Sequence, residues 1–249
     1  MNPCLLIPVY DHGAEIEPVL ESLRDFSLPC IVVDDGSHEA TRKALEQLAA
    51  RFSWVWLERL PRNVGKGAAL KAGYARAASK GYSHALQIDA DGQHQATDLV
   101  ALLDAARNRP EALVLGCPTF ENAPKARLYG RLISRFWVHV ETCSRKIGDP
   151  LCGLRCMPLE ATLRVLEGSD CGNHMEFDPE IAVRLAWAGV PIVNVPCRVQ
   201  YPAGGTSHFD LLRDNVRISW MHVRLFFGML VRLPQLLGSQ WSEAHGGRP

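Results

Sequence analysis

Asp89 and Asp91 lie in Asp89-Ala90-Asp91-Gly92-Gln93-His94, directly after the apolar run His84-Ala85-Leu86-Gln87-Ile88. Carboxylates with this spacing reach one divalent cation if the backbone leaves strand geometry between them. Oxygen-only ligation suits Mg²⁺ or Mn²⁺, which keep several waters and bridge to phosphates. The same residues also make an ordinary turn, because Asp and Gly favour one. Polar groups recur at equivalent points: Tyr10-Asp11 after Cys4–Val9, Asp34-Asp35-Gly36-Ser37 after Cys30–Val33, and Arg62-Asn63 after Trp54–Leu57. Polar and acidic residues repeated at one end of successive apolar runs are the pattern of a ligand site at the carboxyl edge of a sheet.

The elements that must position these residues are legible. Helical patterns over Glu15–Asp25, Ala40–Arg51, Gly67–Lys80 and Thr97–Asn108 separate the apolar runs, and a fifth run covers Ala112–Leu115. This alternation predicts an α/β fold, a Rossmann-like and mostly parallel sheet flanked by helices. After Gly116 the rhythm changes. A long basic helix is expected over Pro124–Ile147, an apolar segment over Leu151–Met157, a helix over Met175–Ala188 and a strand over Ile192–Val195. A Gly-rich turn, Tyr201–Thr206, then leads to a last helix over about Phe209–Leu233. The expected organisation is one α/β domain over 1–208 and an amphipathic helix with a frayed tail over 209–249.

Composition narrows the class. The 249 residues carry 27 Lys+Arg against 27 Asp+Glu and are 47% hydrophobic, an ordinary globular balance. The net charge argues neither for nor against nucleic acid or a membrane, and no nucleic-acid partner is expected. Eight cysteines are scattered without a C-x-x-C pair, which fits reduced thiols better than a disulfide framework. No h-region of a signal peptide fits before Cys4-Leu5-Leu6-Ile7-Pro8, so a cytoplasmic location is expected.

Ile7-Pro8-Val9-Tyr10, Val32–Ser37, Asn63-Val64-Gly65-Lys66-Gly67 and Asp89–Gln93 occur in that order. Together with Asp149-Pro150-Leu151-Cys152-Gly153-Leu154-Arg155, a D-x-x-S-G-x-R-like segment, they resemble family 2 glycosyltransferases of the GT-A fold. The likeness covers about residues 3–210 and is nearest the dolichyl- or polyprenyl-phosphate sugar synthase branch. Ser207–Asp210 and Ile218-Ser219-Trp220-Met221-His222 also resemble a bacterial subgroup linked to lipid or aryl-polyene pathways. The resemblance implies a GDP- or UDP-sugar donor. Pro8, Tyr10 and Asp11 would line the base pocket, and Asp35 would bond base or ribose. Asp89 and Asp91 would hold the cation on the diphosphate with Gln93 near it, and Lys66 or Lys71 would face the diphosphate. His208 is a further metal or diphosphate candidate.

The acceptor side is more open. An inverting transfer to a hydroxyl needs a general base, for which Asp149, Glu176, Asp178 and Glu180 are candidates, whereas a phosphate acceptor needs none. Asp178 and Glu180 also precede an apolar helix, where they would simply complement its dipole. Arg127, Arg131 and Arg135 form one stripe at helical pitch. That stripe is either a solvated face or an acceptor-phosphate site, and the resemblance favours Arg131 with Ser134. Two segments depart from the family pattern. Gly116-Cys117-Pro118 replaces G-S-R, and Pro202 to His208 lacks both basic residues of R-x-x-G-x-S-K. The acceptor is therefore expected to be lipid-linked or amphipathic, without closer definition.

In the last helix, Arg213, Arg217, Arg224 and Arg232 are set against Leu212, Val216, Val223, Phe226, Phe227 and Leu230. Such a helix lies in a membrane interface or packs on the core, and the two can coexist. The first alternative implies peripheral attachment to the inner membrane face. The function expected is metal-dependent sugar transfer. A sugar-nucleotide nucleotidyltransferase would want a Gly-rich loop where Tyr10-Asp11-His12-Gly13 stands, and a non-catalytic nucleotide-sugar-binding protein would not need Asp89 and Asp91.

Overall fold

The computed structural model describes residues 1–121, 125–200 and 210–245. β1 (Pro3–Val9), β2 (Cys30–Asp34) and β4 (His84–Gln87) are almost wholly buried, as runs in a sheet covered on both faces must be. β3 (Val55–Arg59) is more exposed and lies at one edge. These four strands pair in parallel through β1–β2, β2–β3 and β1–β4. Side chains alternate between two cores. Leu5, Ile7 and Val9 face α1 (Ile16–Leu23), α2 (Glu39–Arg51) and α4 (Ala96–Asn108). Cys4 and Leu6 face α3 (Lys66–Ser79) and the later helices.

The second half completes the sheet by a route that periodicity does not reveal. β6 (Arg155–Pro158) runs antiparallel between β4 and β5 (Leu113–Glu121), and β7 (Ile192–Gln200) closes the edge parallel to β5. The order is β3-β2-β1-β4-β6-β5-β7. β5 and β7 exceed the lengths expected because they pair continuously from Leu113–Ile192 to Glu121–Gln200. α5 (Lys125–Glu141) stops short of Ile147, where Thr142 Oγ1 donates to Val138 O and Cys143 takes φ 50°. α6 (Leu159–Glu167) is an element that the sequence reading does not contain, followed by α7 (Phe177–Trp187).

α8 (Arg213–His245) runs further than expected, past Pro234, which removes one N–H from the ladder without ending the helix. It has two apolar faces. Met221, Leu225, Met229 and Leu236 are buried in the same core as β1 and α7, while Val216, Trp220, Phe227 and Val231 are exposed. The arginines divide accordingly: Arg224 reaches Glu180, Arg217 pairs with Asp214, and Arg232 covers the Trp187 ring. Among the described residues no helix is long and apolar enough to cross a membrane.

Candidate active site

The carboxyl ends of β1, β2 and β4 open into a cleft of about 1410 Å³. Its first wall is loop backbone fixed by carboxylates. Asp35 follows β2 and accepts N–H bonds from Val64 and Gly65, both at 2.8 Å. Burial pushes the Asp35 carboxyl above its ordinary value, against those two donors. The loops pack so tightly that a Cβ on Gly36, which has φ +70°, would lie 2.2 Å from the Arg62 carbonyl carbon. Asp11 joins the same wall from outside the cleft lining. Its amide donates to Ser37 Oγ and its Oδ1 accepts from the His38 amide at 2.8 Å. Pro8, Tyr10 and Asn63 line the cleft beside Asp35.

The two aspartates after β4 sit at the floor. Asp91 Oδ1 accepts from the Gln93 amide at 3.0 Å, and Gly92 adopts φ +69°, so the D-G-Q sequence folds as a side-chain-closed turn. Burial, then the charge of Asp89, push the Asp91 carboxyl up. Two carboxylates two residues apart at the end of one strand offer an all-oxygen donor pair, which suits a hard divalent cation. Gly153 leaves room for Asp89: a Cβ there would lie 1.9 Å from Asp89 Oδ2. The residues present therefore fit Mg²⁺ or Mn²⁺.

Lys66 opens α3 and bridges the floor to α7, with Nζ 2.7 Å from Asp89 Oδ1 and 2.9 Å from Asp178 Oδ2. Burial would lower its pKa, but Asp178 and Asp89 outweigh burial and raise it. Asp178 is itself buried and held from three sides. Gln87 Nε2 donates to Oδ1 at 3.0 Å, Tyr74 OH donates onward to Gln87 Oε1 at 2.6 Å, and Arg155 Nη1 lies 3.6 Å from Oδ1. Burial pushes Asp178 up, yet Lys66 and Arg155 bring it below its ordinary value.

The opposite wall comes from α5 and α8. Arg131, Ser134, Trp137, His222, Val223 and Phe226 line it. Arg131 Nη1 donates to both oxygens of Asp149 at 2.7 Å, and the Leu151 amide also donates to Asp149. Asp149 thus stands behind Arg131 and off the cleft lining.

Of the residues singled out in the sequence, Pro8, Tyr10, Asp35, Lys66, Asp89, Asp91, Gln93, Arg131, Ser134 and Asp178 meet in this one cleft. Lys71 turns elsewhere. Its Nζ donates to Cys171 O and to Asn173 Oδ1, so of the two lysines only Lys66 lines the cleft. Glu176 packs against Gly172 and accepts from the His174 amide, also off the lining. His208 and the side chain of Arg127 lie outside the described residues. Gln87, Tyr74, Gly153, Glu141 and His222 carry parts of the site that the sequence reading gives no role. A glutamine inside the buried run His84–Ile88 was the available signal for the first of them.

A cleft lined by carboxylates at the carboxyl edge of a doubly covered, mostly parallel sheet is the arrangement of a GT-A transferase. The comparison with protein families agrees: the glycosyl transferase family 2 model matches residues 4–157. The chain belongs to that family and is a glycosyltransferase. It is similar to an uncharacterized protein of Methanocaldococcus jannaschii, 29% identical over 215 residues, 82% of this chain and 90% of the relative. It is 27% identical over 246 residues to a UDP-N-acetylglucosamine–dolichyl-phosphate N-acetylglucosaminyltransferase of Methanococcus voltae, covering 91% of this chain and 94% of that one. A dolichyl-phosphate beta-glucosyltransferase of Trichomonas vaginalis is 27% identical over 202 residues, 72% of this chain, which spans 59% of that relative's length. In fold it resembles glucosyl-3-phosphoglycerate synthase of Mycobacterium tuberculosis, solved with Mn²⁺, UDP and glucosyl-3-phosphoglycerate. The TM-score is 0.62 at 17% identity, over 92% of this chain and 79% of that one.

Proposed function

We propose that the chain moves a sugar from a UDP- or GDP-sugar to a lipid-phosphate acceptor of the polyprenyl type at a membrane surface, with inversion at the anomeric carbon. The observation that carries this reading is the convergence of Asp89, Asp91, Asp35 and Lys66 in one cleft, whose far wall of Trp137, Val223 and Phe226 suits a lipid tail. The names of the Methanococcus voltae and Trichomonas vaginalis relatives support the acceptor class, and the Mn²⁺–UDP complex of the structural neighbour supports the donor and metal.

In this reading Pro8, Tyr10 and Asp35 receive the nucleoside, with Asp11 bracing the loop that carries Tyr10. Asp89 and Asp91 hold Mg²⁺ or Mn²⁺, with Gln93 closing the turn. A divalent ion there supplies charge that stabilises the departing nucleoside diphosphate. Lys66 sets a second positive charge beside the diphosphate, and Asp178 keeps it in place. Arg131, oriented by Asp149, and Ser134 face the acceptor head group. The exposed faces of α5 and α8, with Phe136 and Phe227 outward, rest on the bilayer interface.

The test is metal-dependent transfer from a panel of UDP- and GDP-sugars to polyprenyl phosphate in phospholipid vesicles, with NMR of the product for its anomeric configuration. EDTA should abolish transfer, and Asp91→Asn should lower it by about 10²–10³-fold. Failure with every donor, or wild-type rates for Asp91→Asn, overturns the reading.

A further inference from the structure

Where α5 meets α8, three polar side chains are buried against one another. Glu141 is fully buried, Ser134 is 4% exposed and His222 is 7% exposed. Glu141 Oε1 lies 2.8 Å from His222 Nδ1, and His222 Nε2 lies 3.3 Å from Ser134 Oγ. Ser134 and His222 line the cleft, and Glu141 stands behind them. Packing alone does not call for this trio. Val138, Met221 and Leu225 already join the helices to the core, and burying ionisable groups is costly unless they are paired.

One hydrogen lies between His222 Nδ1 and Glu141 Oε1. Burial pushes the Glu141 carboxyl up and the bond to His222 pulls it back down, and the relay uses the form in which Nδ1–H donates to Glu141. In that form Nε2 accepts from the Ser134 hydroxyl, whose oxygen keeps lone pairs for a group in the cleft. A carboxylate–imidazole–hydroxyl chain of this kind moves a proton away from a reacting oxygen. Its place is suitable. Ser134 is one helical turn from Arg131, Arg131 is fixed on Asp149, and Gly153 just beyond touches Asp89. Asp178 is engaged by Lys66 and Arg155, Asp149 by Arg131, and Asp214, which lines the cleft from α8, by Arg217.

We propose that Ser134, His222 and Glu141 form a proton relay that deprotonates an acceptor oxygen arriving in the cleft with its hydrogen, either an alcohol or the P–OH of a phosphate monoester monoanion, the dianion needing no base. The proposal rests on the sugar-transfer reading above and names the chemistry of its acceptor step. The acceptor O–H donates to Ser134 Oγ while the Ser134 proton passes to His222 Nε2. The acceptor oxygen forms its bond to the anomeric carbon, the bond from that carbon to the diphosphate oxygen breaks, and the nucleoside diphosphate leaves with the electron pair. The imidazolium is stabilised by Glu141 and returns its proton to water after product release.

The experiment uses the full chain with an active donor and two acceptor arms, polyprenyl phosphate and the corresponding polyprenol, and it reads kcat and KM separately. His222→Gln should lower kcat by about 10²–10⁴-fold. The KM of both substrates and the affinity for nucleoside diphosphate with Mn²⁺ should stay within threefold of wild type. Ser134→Ala should lower kcat in the same direction, and Ser134→Thr should restore most of it. The arm in which wild type turns over, and His222→Gln does not, identifies the oxygen. Two results overturn the relay: a His222→Gln kcat within threefold of wild type, or a loss that appears in nucleotide affinity and melting temperature and so marks a packing role. If wild type transfers sugar to neither acceptor from any donor, the sugar-transfer reading falls before a variant is made, and the relay falls with it.

Discussion

At the scale of single residues, Gly153 governs Asp89. Its Cα is so close to the carboxylate that any side chain would occupy the space of Asp89 Oδ2. Gly153→Ala should therefore displace Asp89 and weaken Mn²⁺ binding by at least about tenfold, read by titration calorimetry with UDP or GDP present. Unchanged affinity would show that Asp89 is not a ligand. The acidic members of the site were legible because carboxylates stand out where apolar runs end. Gly153 was not, since it acts by lacking a side chain, and Gln87 left only its polarity inside a buried strand as a sign. Lys66 and Lys71 could not be separated by spacing alone, because the choice depends on what packs beside α3. Asp178 and Asp89 draw one lysine inward, while Cys171 and Asn173 hold the other outside.

At the scale of elements, α8 answers a question its sequence leaves open. Its residues supply a packed face and an exposed one, so the helix is anchored to the protein and still presents Trp220, Phe227 and Val231 outward. Deleting it would strip Met221, Leu225 and Met229 from the core and report on folding, not on membranes. Trp220→Asp and Phe227→Asp should instead each lower binding to anionic phospholipid vesicles by about tenfold or more, with melting temperature nearly unchanged. Vesicle binding equal to wild type would remove the interfacial role. Helices α1 to α4 and strands β1 to β5 were legible because short apolar runs alternate with helical patterns through the first half of the chain. α6 was not: it begins at Leu159 directly after β6 ends at Pro158, with no loop between them to mark its start. The strand at β6 carried no sign of direction, because a four-residue segment looks the same parallel or antiparallel.

At the scale of the whole molecule, Asp178 joins parts that are distant in sequence. It binds Gln87 of β4, Lys66 of α3 and Arg155 of β6 from its place on α7. Asp178→Asn leaves two buried cations short of a partner and should cost about 3 kcal/mol at neutral pH. Its folded pKa is depressed, so its stabilisation is complete above the unfolded value of about 3.9 and is lost as pH falls through the lower folded value. The gap in unfolding free energy between wild type and Asp178→Asn should therefore be full at pH 7 and shrink below about pH 4. A gap that persists undiminished would mean that the carboxylate charge is not the source. The antiparallel strand in the middle of the sheet also dictates how this chain could be recombined with a relative. β6 follows α5 in sequence but pairs with β4, and its approach segment shapes the seat of Asp89 and holds Arg131 through Asp149. A crossover placed between Asp91 and Asp149 would separate that seat from the aspartate it fits. Exchanging α5 and α8 alone, with an arginine kept opposite Asp149, would leave that seat whole, and donor and acceptor panels on the exchanged chain would read which substrate these two helices choose.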